Sequence, residues 1–121
     1  MNTHECIFVL AEVLYQRALA RFESEQYRRA EVMASAASGA AVFIVEDLET
    51  SDELRSRASI LSKMLEEFLS TIWRAETQRY DERFLSGSKN TVRGTADREA
   101  ALFMCDLREA MVEVARISAE R

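Results

Sequence analysis

"YRRAEVMASAASGAAVFIVEDL" (Tyr27–Leu48) contains eight consecutive small side chains, Ala34 to Ala41. A run of this kind is a flexible linker, a loop that lets backbone approach a phosphate, or a helix that packs close to a neighbour. Phase separates the three. Tyr27, Ala30, Ala34, Ala37, Ala41, Ile44 and Leu48 recur in steps of three and four, with Met33, Ala36, Ala40 and Phe43 one position back. A linker carries no such phase, so the pattern predicts a helix from about Gln26 to Leu48, narrow in the middle. Gly39 inside it costs about 1 kcal/mol relative to alanine, which close approach of a neighbouring backbone would offset.

The same spacing extends outward in both directions. Ile7, Leu10, Leu14, Ala18 and Phe22 predict a helix over about 3–24, opened by the capping-box pair Asn2 and Glu5. Between Cys6 and Leu14 the only charge is Glu12, so this helix is apolar nearly all round. That predicts burial on more than one side, within the chain or against a second one. Downstream, Thr50 and Glu53 have capping-box spacing, and Leu54, Ala58, Leu61, Leu65, Phe68 and Ile72 predict a helix over about 52–84. "SGSKNTVRGT" (Ser86–Thr95) breaks the pattern, and Phe103, Leu107, Ala110, Val114 and Ile117 then predict a helix over about 96–119.

With no proline and three glycines in 121 residues, little interrupts these helices. The fold class expected is all-α, one domain, an antiparallel bundle of about four long helices.

Function narrows chiefly by exclusion. Net charge −5 argues against general affinity for nucleic acid. Local cations at Lys89 and Arg93 are interleaved with acids, so a mixed solvated loop is expected there and an anion or RNA contact is the lesser reading. Cys6 and Cys105 are isolated, fitting reduced thiols in a cytoplasmic protein. The apolar start breaks at Glu12 without a basic leader, and no apolar run reaches transmembrane length, so no membrane association is expected.

His4 is the sole histidine and is read as an exposed terminal residue, which leaves no catalytic triad and no multi-histidine metal site. Glu46, Glu49 and Asp52 have Glu-x-x-Glu and Glu-x-x-Asp spacing, but they overlap at one helix end and cannot surround an ion. They read as a solvated, acidic helix start. No catalytic residue, metal or cofactor is expected, and the chain is read as a non-enzyme.

"LYQRALARFESEQYRRAEVMASAA" (Leu14–Ala37) resembles a single tetratricopeptide-type hairpin through Leu14, Ala18, Tyr27, Ala30 and Ala37, without a second copy. The same stretch looks like the HEPN helical domains but lacks their Arg-x4–6-His motif, so no nuclease residues carry over. "YRRA" (Tyr27–Ala30), "DLETSDEL" (Asp47–Leu54) and "DLREAM" (Asp106–Met111) make the layout similar to flagellin export chaperones, without that family's Ser-Pro and Tyr-Asp-Gly elements. This resemblance implies a helical protein whose apolar groove holds a partner's amphipathic helix. The expectation is a protein-binding module, itself a homo-oligomer (dimer), with Ile7, Phe8, Leu10, Leu14, Trp73, Tyr80 and Phe84 as candidate partner contacts. The alternatives are a structural homodimer closed by the same surface, or a regulator touching nucleic acid through residues 86–98.

Overall fold

A computed structural model describes the backbone of residues 1–85 and 95–121 and the side chains of 1–79 and 98–121. It contains four helices: α1 (Thr3–Glu23), α2 (Tyr27–Glu46), α3 (Asp52–Leu85) and α4 (Thr95–Glu120). No strand occurs among the described residues. The chain is all-α, a helical bundle as its periodicity requires.

Each helix starts and stops for local reasons. The Asn2 side chain accepts from the Glu5 backbone N–H at 2.8 Å, as the first capping pair predicts. α1 ends in a Schellman turn: Gln26 N–H donates to Arg21 O and Glu25 N–H to Phe22 O, with Glu25 at φ +62°. At the next turn the cap lies one residue later than expected. Ser51 Oγ accepts from Leu54 N–H at 3.3 Å, while the Thr50 side chain is buried with no hydrogen-bond partner for its hydroxyl.

α2 stops before Leu48 because Asp47 turns extended, at ψ 124°. Leu48 therefore leaves the predicted stripe and stands 94% exposed. Arg55 meets carbonyls of this helix end by donating to Val45 O and Asp47 O, and ties in the following turn by donating to Thr50 O.

His4 is not free in solvent. Its Nε2 lies 2.8 Å from Asp47 Oδ2 and its ring stacks on Phe43, tying the start of α1 to the end of α2. That contact, with a backbone hydrogen bond from Glu49, holds the Asp47 carboxyl below the ordinary carboxylate range.

α1 and α2 form the central hairpin, and each contacts all three other helices. α2 packs along α1, and its Ala34, Ala37 and Ala41 are wholly buried. Phe8, Tyr15 and Phe22 of α1 face α3, through Arg57 over the Phe8 ring and through Phe68 against Tyr15 and Phe22. Arg17 and Arg21 instead face α4. Tyr15 and Arg17 are about 200° apart around a helix of 3.6 residues per turn. The α1–α2 hairpin is therefore sandwiched between α3 and α4, whose backbones do not approach each other closely among the described residues. The apolar all-round character of α1 is largely consumed inside the chain.

Gly39 corrects a second expectation. A Cβ built there meets nothing within 4 Å, so no neighbouring backbone occupies the space beside it. The buried small residues are those of the other face.

Candidate functional site

Phe8 and Leu14 are core side chains, and Ile7 and Leu10 pack half-buried against that core. Phe8 and Leu14 are thus committed to the chain's own interior, whereas Ile7 and Leu10 keep part of their surface. Trp73 does face solvent, at 64% exposure. The side chains of Tyr80 and Phe84, and the loop carrying Lys89 and Arg93, lie outside the described residues.

α4 is attached unlike the other helices. Among its described side chains only Ala110 and Asp106 are buried. Asp106 is 1% exposed and receives both Nε and Nη2 of Arg29 at 2.8 Å, plus Arg21 Nη2 at 3.3 Å. A bidentate guanidinium–carboxylate pair is directional as well as strong. It fixes the position of α4 against α1 and α2 at once. Arg17 to Glu109 and Glu113, and Arg28 to Glu99, flank this clamp. The Asp106 bond raises the pKa of Arg29, and the Glu99 bond does the same for Arg28. "YRRA" and "DLREAM" meet here: Arg29 belongs to the first stretch and Asp106 to the second.

Held by charge, α4 leaves part of its apolar arc uncovered. Phe103, Leu107 and Val114 are half-buried, and Met104 and Met111, which continue the arc beyond Leu107, are more than half exposed. α2 borders this edge. From Val32 to Val45 it has no charged side chain on any face, and Val32 lines a cavity with Leu102 and Phe103 of α4. Phe43 is 50% exposed and Val42 is exposed also. The exposed apolar side chains of α2 and α4 lie on the part of the molecule that the charged contacts leave open. The sequence signal for it was the absence of charge over fourteen residues, which a one-sided reading of the stripe did not use.

A second feature is a cleft of about 580 Å³ at the start of α2, walled by Tyr27, Val32, Leu102 and Phe103. Charged groups surround it. Arg28 pairs with Glu31 and Glu99, and Arg79 donates to Glu25 O and lies over the Tyr27 ring. Glu76 reaches in from α3. Burial first, and a side-chain hydrogen bond with Glu31 second, push its pKa up to about 7. Its Oε1 is buried without a hydrogen-bond partner.

Both cysteines are free, Cys105 exposed and Cys6 half-buried. Among the described residues, no helix is long and apolar enough to cross a membrane. No family model, characterised protein or solved structure matches this chain.

Proposed function

We propose that this chain is a non-catalytic protein-binding module whose α2–α4 surface receives an amphipathic helix of a partner protein. The observation that carries the proposal is the uncharged outer face of α2, open beside Gly39, together with the exposed Met104 and Met111 of α4. A glycine facing empty space lets a docking helix approach the backbone closely. Methionines adapt to the shape of what they meet, and helix-in-groove burial needs no other chemistry. An export chaperone is the narrower form of this function, supported by the resemblance to flagellin export chaperones. Trp73 is a candidate contact at the far end of α3.

The same surface favours a second reading. A neutral face repels no copy of itself, so it is compatible with a two-fold dimer. Light scattering across a dilution series distinguishes them: a constant doubled mass supports the dimer, and a monomer supports a client helix. Co-purification from the native host with Met111→Glu as control then tests the module itself. Equal recovery of the same proteins by wild type and Met111→Glu rejects the α2–α4 surface, and unchanged recovery with Trp73→Ala rejects Trp73.

A further inference from the structure

We propose that the outer face of α3 is the seam of a homodimer, in which α3 of a second copy lies antiparallel across Ile60 and Met64. The inference is independent of the α2–α4 surface, since α3 and α4 flank the hairpin on opposite sides.

The spacing of the exposed residues of α3 carries it. Glu53, Arg57, Ile60, Met64 and Glu67 step by four and three along one face, and Thr71 and Arg74 continue the step; all of them are exposed. This is the spacing of a coiled-coil seam. At its middle Ile60 and Met64 keep 61% and 46% of their surface.

The order of charges along the seam is self-complementary. A two-fold axis level with residue 62 sets each residue opposite the one equally far on the other side, and every contact occurs twice. Ile60 then meets Met64 of the second copy, each about 3 Å from the axis along the helix. Arg57 meets Glu67 of the second copy, each about 7.5 Å from it. Glu53 and Arg74 of the two copies come within one turn of each other. A parallel pairing in register would instead set Arg57 against Arg57 and Glu67 against Glu67, which like charges oppose.

These charges have no ion-pair partner in their own chain. Among the described residues none of Glu53, Arg57, Glu67 and Arg74 forms an ion pair; Arg57 lies over the Phe8 ring and Arg74 donates to Ser70 O. Arg17, Arg28, Arg29 and Arg116, by contrast, each hold a carboxylate. A groove of about 280 Å³ shares Arg57, Ile60 and Met64 with the seam and has Phe8, Glu12, Tyr15 and Gln16 on its α1 side. A methionine of the second copy fits such an irregular space. Contact through one helix per copy, with two apolar side chains from each, makes a small interface and hence a dimer that dissociates on dilution.

Sedimentation equilibrium of the full chain from micromolar to millimolar concentration tests the seam. The mass should climb with concentration towards twice that of the monomer. Arg57→Glu and Glu67→Arg should each lower the association constant about tenfold or more, because each sets two like-charged pairs across the axis. Mixing the two variants, or combining both changes in one chain, restores opposite charges at both contacts and should recover association. Ile60→Glu should abolish it, whereas Met111→Glu, on the other side of the hairpin, should leave it unchanged. Circular dichroism confirms that the variants are folded. A monomer at every concentration, single variants that associate as wild type does, or a mixture no better than its components would each overturn the proposal. A dimer lost in Met111→Glu but kept in Ile60→Glu would overturn it as well, and would move the contact to the α2–α4 surface.

Discussion

Replacing Asp106 by alanine should release α4 from the rest of the chain. Asp106 accepts from Arg29 at 2.8 Å twice and from Arg21 at 3.3 Å while itself 1% exposed. Removing one partner of a buried ion pair costs about 3–5 kcal/mol, because the opposite charge is left without compensation. Here the arginine side chains keep 21% and 30% of their accessibility, so water takes over part of the load and the lower end, about 3 kcal/mol, applies. Domains are stable by roughly 5–15 kcal/mol, so this is a large fraction. With a urea slope of about 2 kcal/mol/M, the unfolding midpoint should fall by about 1.5 M.

The loss should also be local, since Ala110 is the only fully buried apolar side chain among those described in α4. Hydrogen exchange should show α4 losing protection before α1, α2 and α3. The paired change Asp106→Leu with Arg29→Met should recover part of the loss, because apolar isosteres avoid the desolvation cost. A midpoint shift below about 0.5 M, corresponding to about 1 kcal/mol at that slope, would refute the clamp. So would protection lost equally in all four helices.

Two substitutions in the small-residue run should act in opposite directions. Ala37→Leu crowds a wholly buried site and should cost about 1–3 kcal/mol, whereas Gly39→Ala enters open space and should stabilise the helix by about 1 kcal/mol; thermal denaturation measures both. Glu25→Gly relieves a left-handed residue that its Schellman turn requires, and should raise stability by about 1 kcal/mol in the same assay. Glu76 makes stability depend on pH: the folded chain holds its proton up to about pH 7, whereas the unfolded chain releases it near the ordinary carboxyl value of 4.5. The folded state binds the extra proton between these values, so stability should fall as pH rises through that window and level off above it. Urea titrations from pH 4.5 to 8 should show this slope, and Glu76→Gln should remove it.

Helical periodicity made most of this architecture legible. Leu54, Ala58, Leu61, Leu65, Phe68 and Ile72 recur in phase and are all buried, as are Ala30, Ala34, Ala37, Ala41 and Ile44. An amphipathic helix needs only neighbours three and four residues away to declare its inner face, so a local pattern suffices. Where the backbone left that pattern, reading by phase failed. Leu48 keeps the spacing on paper, but the chain turns at Asp47 and the side chain goes to solvent. His4 looked terminal because its partner, Asp47, is forty-three residues away.

The candidate surfaces were less legible for a related reason. Phe8, Leu10 and Leu14 looked like surplus apolar surface because the sequence of α1 does not say that it has three neighbours. Once α3 takes one side and α4 the opposite one, little surplus remains. Trp73 stayed exposed where the core row passes to Ile72, one position away.

By itself, then, the sequence determined the helices, their approximate ends and the inner rows of α2 and α3, since these follow from spacing within a few residues. Only the tertiary structure decided which helices lie at the centre, that Arg29 and Asp106 close a buried pair across seventy-seven residues, and that Gly39 faces open space. Those outcomes depend on which faces meet, and short-range periodicity in one helix carries no information about its distant partner.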